Sequence, residues 1–119
     1  MDKKSIIKNY NLNKRQIDLI DIYISKLKKS NEIHNLVGSS TVDVAWDRHI
    51  NDSLQLSNYI LKRNAAVIDL GTGAGLPGVI LYIFGYTNIL LIDSKMKKIN
   101  FIKEFALENN IKVKSICTR

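Results

Sequence analysis

The feature that most constrains this chain is a glycine-rich turn at Gly71–Gly78, which lies between a short apolar run and a helical period. The run before the turn, Ala65–Leu70, has the composition of a buried strand. Glycines stand at positions 71, 73 and 75, and glycine permits a sharp turn and lets a ligand approach the backbone. Pro77 occupies a position that is favoured in the first turn of a helix. The segment therefore predicts a strand, a glycine loop and a helix in succession.

Two more strands are predicted after the glycine loop. Asn88–Asp93 is apolar up to its last residue, and Ile111–Cys117 is a similar run. Between them, Ser94 is expected to cap a helix that ends near Asn109. The apolar residues expected to face inward from this helix are Met96, Ile99, Ile102, Phe105 and Ala106. The order β-α-β-α-β predicts an α/β fold, a Rossmann-like sheet whose parallel strands are joined by right-handed crossovers.

The first 63 residues have a different character, because helical periods alternate there with polar segments. Leu12–Lys29 carries one apolar stripe, and Asn13 is placed to cap its start. Thr41–Leu61 is predicted to be helical in one or two pieces. Its apolar stripe contains Trp46, a partly buried core aromatic, with Ile50, Leu54 and Leu61. We therefore expect an N-terminal helical region at 1–63 and a β-α-β-α-β region at 64–119.

Composition excludes several classes of protein. The chain has 119 residues, 45% of them apolar, and its longest apolar runs are far too short to span a membrane. The lone Cys117 and the absence of a hydrophobic signal core near Met1 favour a reducing cytoplasm. Two histidines and one cysteine, far apart, provide no metal-ligand cluster. The net charge of +7 favours an anionic partner such as nucleic acid, although fourteen Lys against four Arg also fit the codon bias of an AT-rich genome.

A carboxylate one strand beyond the glycine loop indicates a nucleoside site. Asp93 ends the second predicted strand, where it can accept hydrogen bonds from both hydroxyls of a ribose. The spacing Gly73-x-Gly75-x-x-Gly78 also matches the dinucleotide fingerprint. Asp69, two residues before the first glycine, is unfavourable beside a pyrophosphate but favourable beside the ammonium of S-adenosyl-L-methionine. We favour that cofactor, and a dinucleotide-dependent oxidoreductase domain or a purely structural turn remain the alternatives.

Four polar residues upstream lie at helical spacing. Arg48 and Asp52 form one i/i+4 pair, and His49 and Ser53 form another. From spacing alone, a surface ion pair and a capping cluster are the favoured interpretation.

Several strings, in order along nearly the whole chain, resemble the small-subunit rRNA guanine-N7 methyltransferase G family, also called glucose-inhibited division protein B. The strings are Asn31-x-x-x-Asn35-Leu36, Arg48-His49-x-x-Asp52-Ser53, Asp69-x-Gly71-Thr72-Gly73-x-Gly75-Leu76-Pro77-Gly78 and Leu91-x-Asp93-Ser94. The Gly-Leu-Pro-Gly ending and the Arg-His-x-x-Asp-Ser string are more specific than the glycine loop alone. One departure is Ser30, where the family usually has Trp, and it affects packing more than chemistry.

The resemblance implies a class I methyltransferase that transfers a methyl group from S-adenosyl-L-methionine to N7 of a guanine in 16S rRNA of the small ribosomal subunit. The cofactor-binding residues it implies are Asp69, Gly71, Thr72, Gly73, Gly75, Leu76 and Asp93. His49 and Asp52–Ser53 would cover the cofactor, and Arg48 would help place RNA. Lys95, Lys97 and Lys98 are candidate phosphate contacts. No catalytic side chain is expected, because guanine N7 carries a free lone pair and only positioning is needed.

The resemblance also implies more sheet than is predicted here. Class I methyltransferases normally have seven strands, so the three predicted strands would form the first half and leave Ala65–Leu70 with an open apolar edge. We therefore expect the 119-residue chain alone to bind the cofactor weakly or not at all and to be inactive. A complementing C-terminal fragment, or self-association through the open edge, would cover that edge. A non-catalytic truncated remnant is the alternative.

Overall fold

Two helices begin the chain in the computed structural model, which describes residues 1–30 and 42–119. Helix α1 spans Lys3–Tyr10 and helix α2 spans Lys14–Lys29. The prediction for α2 is confirmed. The Asn13 side chain accepts from the Gln16 amide, and the Gln16 side-chain oxygen accepts from the Asn13 amide. Helix α1 was not predicted, although Asp2 caps it by accepting from the Ser5 amide.

The second helical region is broken into short pieces. Helix α3 spans Val42–Ala45, a π-helical turn follows at Trp46–Ile50, helix α4 spans Asn51–Gln55, and a 3-10 turn ends at Asn58. The predicted stripe is correct for Trp46, Ile50 and Leu54, which are all fully buried. It is wrong for Leu61, which is 90% exposed because the helical turns end before it. The π-helical turn also changes the angular spacing of the side chains that a regular α-helix would give.

Three parallel strands form one sheet in the order β1-β2-β3, which confirms the predicted α/β fold. Strand β1 spans Val67–Leu70, β2 spans Ile89–Asp93 and β3 spans Lys114–Cys117. Helix α5, Gly78–Ile83, connects β1 to β2, and helix α6, Met96–Glu108, connects β2 to β3. Within the described residues, β1 pairs only with β2, so its other edge is open.

The start of α6 differs from the prediction. Its N-cap residue is Lys95, with extended backbone, and Ser94 lies one residue before it. The reason is that the Asp93 carboxylate accepts from the Lys95 amide, which holds the chain in an Asx turn across Ser94. Met96, predicted to face inward, is 55% exposed because it begins the helix, whereas Ile99, Ile102 and Phe105 are buried as predicted.

The two faces of the sheet are covered unequally. Both crossovers run in the same direction across the sheet, and right-handed crossovers then place α5 and α6 on one face. On that face Ile89 and Leu91 are buried. On the other face the in-register residues Leu70 and Ile116 are 75% and 46% exposed. Only one face of the sheet is therefore covered by the described residues.

The helical region and the sheet share one hydrophobic core, to which Ile20, Trp46 and Leu91 all belong. Trp46 is fully buried rather than partly buried, and its indole Nε1 donates to Asp21 Oδ1 of α2 at 3.0 Å. This contact fixes the second helical region against the first. None of the helices in the described ranges is long and apolar enough to cross a membrane.

Candidate functional site

The glycine loop lies where the sequence places it, between the carboxyl end of β1 and α5. Gly71, Gly73 and Gly75 all have positive φ angles, of 70°, 60° and 111°. A side chain at these positions would be strained, so the alternating glycines are needed to build the loop. The amides of Gly71 and Thr72 donate to the Ile92 carbonyl at 2.8 and 3.0 Å, which anchors the loop on the neighbouring strand.

Asp69 holds the two ends of the loop together. Its Oδ2 accepts from the Thr72 hydroxyl at 2.8 Å and from the Gly78 amide at 2.9 Å. Burial raises the pKa of Asp69 above its ordinary value, and the bonds from Thr72 and Gly78 oppose that shift. The side chain is thus half-buried and directed into the protein's own backbone.

Gly78 has no room for a side chain. A Cβ there would lie 2.1 Å from Cδ2 of Leu91 and 2.8 Å from Oδ2 of Asp69. Gly78 was not among the predicted site residues, although it is the third glycine of the Gly-x-Gly-x-x-Gly spacing, whose role is close packing of helix on strand. Its small size lets α5 begin directly against β2.

Asp93 is the last residue of β2 and contacts the glycine loop at Gly73. Its Oδ2 accepts from the Gly73 amide at 2.9 Å, and its Oδ1 accepts from the Lys95 amide at 2.9 Å. The bonds from Lys95 and Gly73, with the charges of Lys95 and Lys98, lower the pKa of Asp93. Asp93 is therefore an ionised carboxylate held in a fixed position beside the loop.

A cavity of about 470 Å³ opens at the carboxyl ends of the strands. Its lining residues are Leu70, Gly71, Ile92, Asp93, Ser94, Thr118 and Arg119. A Cβ added at Gly71 or at Gly73 would meet no atom within 4 Å, so open space lies beside this part of the loop. The cavity brings Gly71 and Asp93 together, at the edge of a parallel sheet where ligands bind.

Other predicted cofactor residues are directed inward. Thr72 is 3% exposed, and a Cβ at Gly75 would lie 2.4 Å from Cγ2 of Val79. Leu76 is partly buried against the core and precedes a cis peptide bond to Pro77. The cavity lining does not include Thr72, Gly75 or Leu76. Their contacts are with the interior of the protein.

Tyr23 contacts the same loop from helix α2. Its hydroxyl donates to the Ala74 carbonyl at 2.8 Å, and its side chain is fully buried. Tyr23 was not predicted as a site residue, because an aromatic residue beside a helical stripe indicates only a core position. One signal was available in the sequence. Tyr23 lies beside the aliphatic stripe of Ile20, Ile24 and Leu27, and a tyrosine hydroxyl buried there needs a hydrogen-bond partner.

The upstream cluster of Arg48, His49, Asp52 and Ser53 is not part of the cavity lining. The predicted side-chain pairs do not form: the Ser53 hydroxyl donates to the backbone carbonyl of His49 at 2.8 Å, and the ion pairs of the described residues do not include Arg48 with Asp52. The Ser53 hydroxyl therefore bonds to a backbone acceptor instead of the His49 ring, and Arg48 and His49 lie in a π-helical turn, where side-chain spacing differs from that of an α-helix.

Two polar atoms in this segment are buried without a hydrogen-bond partner in the described part of the chain, namely Nε2 of His49, which belongs to the upstream cluster, and Oδ1 of the nearby Asn51. Burial lowers the pKa of His49; Asp52 opposes that shift and Arg48 adds to it. His49 is therefore favoured in its neutral form.

The lysines proposed for RNA follow Asp93 directly. Lys95 and Lys97 are exposed and Lys98 is half-buried, all at the start of α6. Lys97 also lines a larger cavity of about 870 Å³ between α2 and α6. Lys26, on the same cavity, is bonded to Glu104 and Glu108.

No group of three or more His, Cys, Asp or Glu residues in the described ranges could hold a metal ion. The Asn31-x-x-x-Asn35-Leu36 string lies outside the described residues.

Comparison with known proteins identifies the same family that the sequence motifs resemble. The family described as rRNA small subunit methyltransferase G matches residues 16–119. A ribosomal RNA small subunit methyltransferase G from Orientia tsutsugamushi (strain Ikeda) is 41% identical over 111 residues, which are 93% of this chain and 56% of that protein. The protein of the same description from Rickettsia prowazekii (strain Madrid E) is 40% identical over 95 residues, 79% of this chain and 50% of its own length. The chain thus spans about half the length of these curated relatives.

A crystal structure of TehB from Haemophilus influenzae is similar in fold. It matches with a TM-score of 0.50 and 24% identity, over 57% of this chain and 23% of TehB. At that identity the likeness supports the fold alone.

Proposed function

The chain belongs to the rRNA small subunit methyltransferase G family, and from that premise we propose that it serves in the S-adenosyl-L-methionine-dependent methylation of guanine N7 in 16S rRNA. The observation that carries the proposal is the meeting of Gly71 and Asp93 at one cavity. The partner is then the small ribosomal subunit, and the compartment is the cytoplasm.

The residues at the cavity fit a nucleoside cofactor without phosphates. Asp93 offers an ionised carboxylate for the two ribose hydroxyls, and each of its oxygens retains acceptor capacity beyond the one backbone amide that it binds. The backbone at Gly71, on the cavity, and at Gly73, which is bonded to Asp93, is open to a ligand, since a Cβ at either position would meet no atom within 4 Å. The predicted contact of Asp69 with the ammonium of S-adenosyl-L-methionine would be made by Oδ1, because Oδ2 is bonded to Thr72 and Gly78.

The chemistry proposed for this site needs positioning more than proton transfer. Bound there, S-adenosyl-L-methionine supplies an activated methyl group. The ring nitrogen N7 of guanine has a lone pair and no proton to lose, so no side chain needs to act as a general base. Asp93 and the glycine loop would hold the cofactor in one orientation. Such positioning can supply a large part of the reduction in activation free energy.

RNA would approach from the side of α6. N7 is hidden in the deep groove of an A-form helix, so the target guanine must be presented in an exposed loop. Lys95, Lys97 and Lys98 follow Asp93 directly and provide positive charge for the phosphates. For His49 and Asp52–Ser53 we keep the predicted role of covering the cofactor, with Arg48 beside the RNA. The buried, unpartnered Nε2 of His49 in the described structure supports a ligand there.

Two further proposals concern the architecture. The division into a helical region at 1–63 and a sheet region at 64–119 is supported by the order of the elements, in which all three strands follow residue 63. A complementing polypeptide or a second copy of the chain is proposed at the open edge of β1, where Ile68 and Leu70 are 60% and 75% exposed. Sedimentation equilibrium tests the second copy: a monomer at high concentration would exclude it.

The alternatives are weaker. Family membership argues against a dinucleotide-dependent oxidoreductase domain, and the non-catalytic remnant is not better supported than the enzyme.

A titration followed by NMR tests the proposed cofactor, because it detects weak binding. We expect S-adenosyl-L-methionine to shift the amide signals of Gly71, Gly73 and Asp93, and NAD to leave them unchanged. Binding of NAD without S-adenosyl-L-methionine would overturn the proposal, as would shifts confined to residues away from the cavity. Transfer of labelled methyl groups to small ribosomal subunits by the chain together with the C-terminal half of a relative, followed by mapping of the modified base, tests the guanine N7 assignment.

A further inference from the structure

The contact between Tyr23 and the glycine loop joins two parts of the molecule that are far apart in sequence. Tyr23 lies in the middle of α2, and the carbonyl that accepts its hydroxyl belongs to Ala74, 51 residues later. The Oη–O distance is 2.8 Å, and the side chain is fully buried. A buried hydroxyl bonded at this distance has a defined geometry.

The ring of Tyr23 is held by two aromatic side chains of α6. Phe105 lies 5.3 Å from it between ring centroids, at 75°, and Phe101 lies 6.1 Å away, at 71°. Both are edge-to-face arrangements, which are favourable for aromatic pairs. Tyr23 is thus packed between α2 and α6, and the direction of its hydroxyl is determined by helices that precede and follow the loop.

The accepting carbonyl lies between two glycines of the loop. Ala74 stands between Gly73 and Gly75, whose φ angles are 60° and 111°. Glycine loses more conformational entropy than other residues when its backbone becomes ordered. A bond to the Ala74 carbonyl fixes the plane of the Ala74–Gly75 peptide. The next amides along the chain, of Gly75 and Leu76, both donate to the Thr72 carbonyl, at 3.0 and 3.2 Å.

We propose that Tyr23 is a positioning residue for the cofactor loop: its hydroxyl orders the Gly73–Gly75 backbone before a ligand arrives. A loop that is already ordered loses less entropy on binding, so the affinity for the cofactor depends on a helix outside the sheet. The inference rests on the proposed function, because it concerns the same loop. It adds a residue that does not line the cavity and acts through the Ala74 carbonyl.

The test is Tyr23→Phe, which removes the hydroxyl and keeps the ring between Phe101 and Phe105. A matched control is Tyr86→Phe, because Tyr86 is also buried, at 2% exposure, and its hydroxyl donates to the Ile60 carbonyl at 2.7 Å, away from the loop. Thermal unfolding of both variants establishes that each folds and how much stability each loses.

The first measurement is amide hydrogen exchange of the ligand-free chain. We expect Tyr23→Phe to accelerate exchange at Gly75 and Leu76 by about three- to tenfold relative to Tyr86→Phe, the range that one buried neutral hydrogen bond supports. Equal exchange at these amides in the two variants would overturn the inference, because the hydroxyl would then contribute only general stability.

The second measurement is the titration with S-adenosyl-L-methionine. Tyr23→Phe should raise the dissociation constant by about three- to tenfold, and Tyr86→Phe should leave it unchanged. If the unmodified chain does not bind S-adenosyl-L-methionine, either alone or together with the C-terminal half of a relative, the proposed function fails, while the exchange experiment still decides the role of Tyr23. If the unmodified chain and Tyr23→Phe bind equally well, the positioning role is wrong and the proposed function stands.

Discussion

The carboxyl ends of β1 and β2 carry the same side chain in opposite environments. Asp69 is half-buried, its pKa is raised by burial, and its Oδ2 is bonded to Thr72 and Gly78. Asp93 lies at the mouth of the cavity, and its pKa is lowered by the amides of Lys95 and Gly73. The difference is that Asp69 is bonded to both ends of the loop, whereas Asp93 lines the cavity at which we propose that the ligand binds.

Each aspartate also binds one glycine of the loop. Asp69 accepts from the Gly78 amide, and Asp93 accepts from the Gly73 amide. Gly78 is packed against Leu91, whereas Gly73 faces open space. The loop therefore has a packed end at Gly78 and an open end at Gly73, and the open end is the one that we propose faces the ligand.

The largest loss of stability is expected for a substitution at Gly78, the packed end of the loop. Gly78→Ala places a Cβ 2.1 Å from Cδ2 of the buried Leu91, so the helix must move away from the strand. We expect a loss of about 3 kcal/mol in the free energy of unfolding, measured by urea denaturation. The control is Gly73→Ala, which meets no atom but has a φ of 60° and should lose about 1 kcal/mol through backbone strain. A Gly78→Ala chain as stable as Gly73→Ala would contradict the packing argument.

Asp69→Ala is expected to have the next largest effect. It leaves the amide of Gly78 and the hydroxyl of Thr72 without their acceptor, and Thr72 is 3% exposed. We expect a loss of about 2 kcal/mol. Asp69→Asn keeps an acceptor oxygen and removes a charge that burial disfavours, so it should lose less. If the two variants were equally unstable in urea, the charge of Asp69 would be essential to the loop and the comparison would need revision.

The two aspartates should also give opposite dependence of stability on pH. The pKa of Asp93 is lowered from 3.8, so its contribution is present above pH 3.8 and is lost as the pH falls through the lowered pKa. The pKa of Asp69 is raised from 3.8, so its contribution is complete below pH 3.8 and is lost as the pH rises through the raised pKa.

Urea unfolding at a series of pH values checks these signs. Relative to the unmodified chain, Asp69→Asn should gain stability as the pH rises from 3.8, and Asp93→Asn should lose stability as the pH rises toward 3.8. Parallel curves for the two variants would show that the environments do not differ.

The smallest effect concerns the lysines beside Asp93. Lys97→Ala should reduce the slope of log affinity for RNA against log salt concentration by roughly 0.7–0.9, the value for one phosphate contact. Lys14→Ala is a suitable control, because Lys14 is on α2 and pairs with Asp18. Equal slopes for the two variants would remove Lys97 from the proposed RNA surface.

Much of the architecture follows from local sequence. Asn13 and Gln16 specify the start of α2, and the alternation of apolar runs with glycine and helical periods specifies the parallel sheet. The sequence does not predict the start of α6 at Met96, because that depends on where the Asp93 carboxylate finds a donor. Leu61 and the Arg48–Asp52 pair were predicted from regular helical spacing, but the helical turns end at Asn58, before Leu61, and a π-helical turn at Trp46–Ile50 contains Arg48.

The candidate site divides in the same way. Gly71 and Asp93 could be predicted, because the carboxyl ends of neighbouring parallel strands must meet. The inward direction of Asp69 and the contact of Tyr23 with Ala74 could not, because both depend on tertiary packing between residues that no local pattern connects.

The central claim, that Asp93 faces the ligand while Asp69 supports the loop, is tested most directly by titrating S-adenosyl-L-methionine into the unmodified chain, Asp93→Asn and Asp69→Asn by NMR. We predict that Asp93→Asn raises the dissociation constant about tenfold or more, since it removes a charged acceptor from the ligand, and that Asp69→Asn raises it by less. An Asp93→Asn chain that binds like the unmodified chain, or an Asp69→Asn chain that loses more affinity than Asp93→Asn, would contradict the account.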